Sequence, residues 1–283
     1  MREHFIPLSL SEALEILNKH DCYILSGGTD LMVQKHVSSG LAPAFDKSVL
    51  YALNIKELDY IKADENKNIH VGAAVRYSEL EKSPLIPEIY KEVIREIASP
   101  NIRNMATMTG NIGNSSPAGD SLVPLTLLDA EVVLSSVKGN RTMLVRDYIQ
   151  GVRKTARNRN EMISEIILKP QELNYFWKKV GARKAESITK VSLLGAYKIE
   201  KGIIKDFRVA FGSVSIKVVR NIEIENKYKN INVKDLDIEK VIKDYSPLVT
   251  PITDQRSNKE YRHKVAMNLL RKFLMEIKGE AHA

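Results

Sequence analysis

The stretch from Ser99 to Asp129 constrains this chain more than any other. It reads SPNIRNMATMTGNIGNSSPAGDSLVPLTLLD. Small and polar residues run together without low complexity, and the run ends in LVPLTLL, which needs a core. Thr107, Thr109, Gly110, Asn111, Gly113, Asn114, Ser115 and Ser116 offer hydroxyls, amides and open backbone N–H groups. No Cβ stands in the way at Gly110 and Gly113, so a ligand can approach the main chain there. Such a strip suits a large polar ligand with phosphates and hydroxyls. Taken alone, it is equally well read as a Gly/Asn/Ser surface loop.

The 283 residues suffice for two domains, and a hydrophobic fraction of 43% supplies a sizeable core. No apolar run is long enough to span a membrane, and the N-terminal MREHFIPLSLSEAL lacks a signal-peptide core, so a cytoplasmic protein is expected. One cysteine, Cys22, excludes an internal disulfide, a self-contained iron–sulfur cluster and a thiolate zinc site. The histidines show no metal-ligand spacing, so no metal is expected in this chain. The net charge is +8, but lysines and arginines alternate with acids along the chain. Only Arg141 to Arg159 is locally basic, and its single aromatic, Tyr148, makes no base-stacking platform. A solvated face or an acidic partner fits that segment better than nucleic acid.

In chain order, Ser9 and Glu12 form a capping-box pattern that opens an amphipathic helix over residues 9–20. Cys22 to Leu25 reads as a buried strand that runs directly into Ser26-Gly27-Gly28-Thr29-Asp30-Leu31. A strand ending in a Gly-Gly turn places backbone donors at its tip, where a diphosphate can be held without lysines. Strands are expected within 49–61, over 68–74, 131–136 and 161–168, and helices over 77–82, 85–98 and 122–128. Pro100 is expected to stop the 85–98 helix. After Pro170 the character changes to β-type runs at 174–180, 188–200 and 203–214, the last two joined by a hairpin at Lys201-Gly202. Helices over 233–245 and 258–277 close the chain, the second with an apolar stripe that includes Tyr261. A domain boundary is expected near Pro170.

The two polar strips, in this order and about eighty residues apart, resemble the FAD-binding medium subunits of molybdenum hydroxylases of the xanthine dehydrogenase and carbon monoxide dehydrogenase type. That family's first motif is a strand followed by AGGTDL, standing here as Leu25 to Leu31. Its second is RNxATIGGNI…SPxxDxxPxLLALDAxV, standing here as Arg103 to Ile112, Ser116 to Asp120 and Leu128 to Val132. Gly181 to Val191 resembles the segment entering the C-terminal domain, and Pro251 to Ser257 with Glu260 to Arg262 resembles the closing motif. The resemblance covers essentially the whole chain.

It implies an α+β fold. A two-subdomain FAD-binding domain of the vanillyl-alcohol-oxidase/PCMH type would occupy residues 1–170, split near residue 55. A smaller domain with a three-stranded antiparallel sheet and helices would occupy 171–283. It implies non-covalent FAD, with Ile24, Leu25, Ser26, Gly27, Gly28, Thr29, Asp30 and Leu31 around the diphosphate. Thr107, Gly110, Asn111, Ile112, Gly113 and Asn114 would form the opposite wall. Asp120 would accept from a ligand hydroxyl, although it also suits an N-cap of the 122–128 helix. Ile163 would bring its backbone to the cofactor. Lys179 would stabilise negative charge on the reduced flavin, although a solvated strand lysine reads the same way. Thr109 departs from the family's glycine and puts a close backbone approach there in question.

The resemblance further implies molybdopterin and [2Fe-2S] clusters in partner subunits, with NAD+ or another acceptor downstream. A free-standing flavin reductase of the enolpyruvyl type is the alternative, with Ser192, Ser213, Ser215 and Glu223 as the candidate proton donors. No acid–base or nucleophile constellation is otherwise evident.

Overall fold

The computed structural model describes residues 3–279 and is α+β, with three principal sheets following one another along the chain. Strands β1 (His4–Phe5), β2 (Cys22–Leu25) and β3 (Ser48–Tyr51) form a parallel sheet in the order β1–β3–β2. Helix α1 (Leu10–Lys19) connects β1 to β2 and buries Ala13 and Leu17. Its cap differs slightly from the expected box. Ser9 Oγ accepts from the Glu12 N–H at 3.1 Å, but the Glu12 carboxylate takes the N–H of Leu8. Beyond the Gly-Gly turn lies the one-turn helix α2 (Leu31–Gln34).

Strands β4 (Ile61–Ala63) and β5 (Ile69–Gly72) begin the second sheet. Five helices follow: α3 (Tyr77–Lys82), α4 (Glu88–Arg95), α5 (Pro100–Arg103), α6 (Met108–Asn114) and α7 (Leu122–Leu127). The chain then returns as β6 (Glu131–Ser136), β7 (Gly139–Leu144), the short α8 (Val145–Tyr148), the β8 (Ile149–Gly151) and β9 (Lys154–Thr155) ribbon, and β10 (Met162–Leu168). The antiparallel order β4–β5–β10–β6–β7 puts the last strand at the centre. Val71, Val132 and Ile166 of the sheet share one core with Leu80, Val93, Ile112 and Leu125 of the helices.

Pro100 does not merely end the preceding helix, which stops at Arg95. It stands in the first turn of α5, with Ser99 as N-cap. Proline is tolerated there because the N–H it lacks would have no helical partner.

The third sheet comprises β11 (Asn174–Val180), β12 (Val191–Glu200), β13 (Ile203–Gly212) and the two-residue β14 (Val219–Arg220), all antiparallel. The three expected strands are present, and β14 adds a short fourth. Both faces are covered, which explains why VSLLGA in β12 is apolar without alternation. Leu194 and Ala196 join the core of the second sheet, whereas Leu193 faces α9 (Ile222–Lys227), α10 (Ile238–Tyr245) and α11 (Lys259–Ile277). Helix α11 buries Leu269, Leu270, Phe273 and Leu274. Tyr261 is 44% exposed and is not part of that stripe.

Charge also ties the second sheet to the third. Asp129 receives Arg146, Arg208 at 3.6 Å and Arg220 at 2.7 Å, and Arg220 also holds the fully buried Glu225 at 3.0 Å. A buried carboxylate persists only when paired in this way.

Candidate functional site

The two polar strips meet. Ser26 Oγ lies 2.8 Å from Thr107 Oγ1, joining the tip of β2 to the N-cap of α6. An added Cβ at Gly27 would stand 2.0 Å from the Met105 carbonyl oxygen, so the two backbones touch at a distance only glycine permits. On the far side, Gln34 Nε2 donates to Asn114 Oδ1 at 2.9 Å and also to Asp30. The main-chain N–H groups of Gly27 and Thr29 find no acceptor among the described residues.

The second strip is a helix where a loop was equally expected. Thr107 Oγ1 accepts from the Gly110 N–H at 3.0 Å, and Ser115 ends the helix with φ of 48°. Met108, Thr109 and Ile112 form its buried face, and that burial outweighs the poor helix propensity of two glycines. Gly110 and Gly113 fall on the exposed face. An added Cβ at Gly113 would meet nothing within 4 Å, and one at Gly110 would meet only Thr107 Oγ1 and Ser26. The structure leaves the face bare at these two positions.

Thr109 is 6% exposed, and its hydroxyl donates to the Ala73 carbonyl at 2.7 Å. The residue in place of the family's glycine therefore points into the protein, and the exposed face of α6 is unchanged by it. Ala73 in turn donates to the Ser164 carbonyl at 3.0 Å, which brings the neighbour of Ile163 against the same junction. The side chains of Ile24, Leu25 and Leu31 are packed in apolar clusters, so only their main chain can serve a ligand. Gly28 has φ of +70°, and its missing Cβ would point at Leu25 and Met32. This glycine is required by the turn, because its positive φ strains any residue that carries a Cβ.

Asp120 is not the N-cap of α7; Ser121 occupies that position without a side-chain cap. The Asp120 carboxylate is 8% exposed and receives Lys179 Nζ at 2.8 Å and the Thr189 hydroxyl. Lys179 is no solvated strand lysine: its side chain is 7% exposed, and its ammonium also donates to the Glu96 carbonyl at 2.7 Å. Burial pushes the Asp120 carboxyl up from its ordinary value, and Lys179 and Thr189 offset this only in part. Asn111 connects the pair to the strips, since its Oδ1 accepts from Ser121 Oγ at 3.2 Å and abuts Gly119.

Gln34, Glu96 and Thr189 were not singled out from sequence. Gln34 lies one helical turn after Asp30, which is a usable signal; nothing local marks Glu96 or Thr189. Much of the basic run is occupied. Arg141 holds Glu161, Arg146 holds Asp129, and Arg157 donates to the carbonyls of Asn158, Arg159 and Glu161. Among the described residues no group of His, Cys, Asp and Glu could hold a metal, and no helix is long and apolar enough to cross a membrane. A cleft of about 210 Å³ between α1 and the second sheet, lined by Glu57, Tyr60 and Glu165, includes no residue of either strip.

Fold and site together define an α+β protein with a candidate binding face at the junction of a glycine-turned strand tip and a helix whose glycines are exposed. Residues 2–171 match the FAD binding domain in molybdopterin dehydrogenase, and residues 177–277 match the CO dehydrogenase flavoprotein C-terminal domain. The glyceraldehyde dehydrogenase medium chain of Sulfolobus acidocaldarius is 29% identical over 95% of both chains. A putative xanthine dehydrogenase FAD-binding subunit of Escherichia coli is 25% identical over 95% of this chain and 93% of its own length. In structure, the chain is similar to reconstituted CO dehydrogenase from Oligotropha carboxidovorans, with a TM-score of 0.88 at 22% identity over 99% of each chain. It is also similar to quinoline 2-oxidoreductase from Pseudomonas putida, with a TM-score of 0.86 at 18% identity over 100% of this chain and 99% of that one. The chain belongs to the FAD-binding medium subunits of the molybdenum hydroxylases, a family of oxidoreductases. FAD is its cofactor; molybdopterin and iron–sulfur clusters belong to partner subunits in this family.

Proposed function

We propose that the chain is the electron-transfer subunit of a cytoplasmic heterotrimeric molybdenum hydroxylase. It divides into an FAD unit at 1–170 and a C-terminal unit at 171–283. Bound FAD supplies the exchange between single electrons from the partner's [2Fe-2S] clusters and an electron pair for NAD+ or another acceptor. The observation that carries this reading is the bare face of α6, Gly110 and Gly113, beside the free N–H groups of Gly27 and Thr29. Residues Ile24 to Leu31 would hold the diphosphate by main chain, and Thr107 with Gly110 to Asn114 would close the other side. Asp120, Ile163 and Lys179 would line the remainder, the lysine supplying positive charge where the reduced ring carries negative charge.

The free-standing reductase reading gains no support. Ser192 is fully buried, Ser213 bonds the Pro117 main chain, Ser215 bonds Thr250, and Glu223 is exposed. Anaerobic titration of the purified complex with NADH tests the relay. Bleaching of the flavin absorption supports NAD+ as acceptor. Bleaching by dithionite but not by NADH removes NAD+, and a complex that releases no flavin on denaturation removes the FAD assignment.

A further inference from the structure

Thr189 is 2% exposed, and its hydroxyl is aimed at Asp120 Oδ1 while Lys179 occupies Oδ2. Thr189 stands in the connection between β11 and β12, outside the strand ladder, so something else must fix it. Two bonds of its neighbour do so. The Lys190 N–H donates to the Val180 carbonyl at 2.9 Å, and the Lys190 carbonyl accepts from Arg262 Nη1 at 2.9 Å. Arg262 is 4% exposed and is itself held by Asp254 at 2.7 Å. The Asp254 and Arg262 segment near the end of the chain therefore seats the loop that delivers Thr189 to the carboxylate.

We propose that Thr189, seated by Arg262, is a positioning residue whose hydroxyl keeps Asp120 aligned and ionised as the counter-ion of Lys179. The proposal rests on the reading that this pair borders the flavin. A carboxylate in so dry a setting keeps its charge only while both oxygens have donors. The other titratable groups around it are Tyr77, whose hydroxyl donates to the adjacent Ser121, and Glu96, whose main-chain carbonyl accepts from Lys179 while its carboxylate accepts from Trp177 Nε1. Neither donates to the carboxylate, so neither can replace Thr189. If Asp120 is protonated, the Lys179 ammonium faces the site uncompensated. If it is ionised, the pair is neutral.

The test uses infrared detection of the protonated carboxyl in the FAD-free full chain, with Asp120→Asn to assign the band. Thr189→Val should move the titration of Asp120 up by roughly one to two pH units, the loss of one hydrogen bond to a charged group. Thr189→Ser should titrate like the unaltered chain. Coincident titrations for Thr189→Val and the unaltered chain overturn the proposal, as does an equal shift in Thr189→Ser, which would assign the effect to packing. If Thr189→Val does not fold, the triple variant with Asp120→Asn and Lys179→Met, which removes both buried charges, should fold, and its failure to do so is equally contrary. In the FAD-loaded chain, Thr189→Val should raise the flavin midpoint potential in the pH range between the unaltered and the new titration and leave it unchanged on either side. An infrared shift without this change in potential would retain the positioning role and reject the placement of the pair beside the flavin.

Discussion

Gly27 packs against the main chain of Met105, so closely that a Cβ would stand 2.0 Å from the Met105 carbonyl oxygen. This contact closes the strand tip of β2 onto the N-cap of α6, and the hydroxyls of Ser26 and Thr107 seal it at 2.8 Å. The glycines of the two strips therefore do different things. Gly27 permits the contact, Gly28 permits the turn, and Gly110 and Gly113 leave a helix face bare.

Substitutions at the first two glycines should unsettle the apo chain itself. Gly28→Val must place a β-branched side chain at φ of +70° and crowd Leu25 and Met32. A loss of about 1–3 kcal/mol is expected, read as a lower urea midpoint without FAD. FAD occupancy falls with it, as a consequence of the strained turn. An unaltered apo midpoint would contradict this.

Thr109→Gly restores the residue usual in the family. It removes the hydroxyl bond to Ala73 and inserts a further glycine in α6. The expected cost is about 2 kcal/mol of stability, the sum of one hydrogen bond and one helix-propensity penalty. FAD affinity should be unchanged, because the side chain faces away from the bare face. Tighter or weaker FAD binding in this variant, measured by fluorescence titration, would mean that Thr109 reaches the cofactor.

Lys179→Met leaves Asp120 buried without its cation. Breaking such a pair costs about 3–5 kcal/mol, and the double variant with Asp120→Asn should recover much of it. With FAD bound, the flavin potential should fall, because a positive charge is lost from the site. A single variant as stable as the unaltered chain in urea would contradict the buried pair.

Acid stability depends in part on Glu161. The Arg141 guanidinium, bonded at 2.6 Å and 2.7 Å, holds its carboxyl at about 2, well below the ordinary 4.5. A depressed carboxyl stabilises the fold fully above its unfolded value and loses that contribution as pH falls through the folded one. The window is therefore between about 4.5 and about 2. The contribution is about 2 kcal/mol after discounting for Arg141, which is 41% exposed. Arg141→Met should flatten the decline of thermal midpoint across that window, and an unchanged slope would remove the pair from the account.

Much of the fold is legible in the sequence where local rules and burial agree. Helix α3, strands β6 and β11 and the Lys201-Gly202 hairpin stand where periodicity and turn chemistry put them. Helix α6 is not legible, because glycines at 110 and 113 argue against a helix and only the burial of Met108 and Ile112 decides for one. Pro100 was misread because the same residue that ends a helix also opens one. Helix α9 was missed, since six residues carry too little periodicity and its cap, Asn221, is one of many asparagines. In the site, the strips are readable as motifs, but the contact between Ser26 and Thr107 and the partners of Lys179 arise from residues far apart in the chain.

The most direct test of the junction as the FAD site is the FAD affinity of Gly113→Val. An added side chain there meets no protein atom within 4 Å at its Cβ, and replacing a helical glycine should leave the apo chain as stable as before or up to about 1 kcal/mol more so. FAD affinity should fall at least about tenfold, because the new methyls occupy the face left for the cofactor. A stable variant that binds FAD as tightly as the unaltered chain would contradict the placement of the cofactor between the two strips.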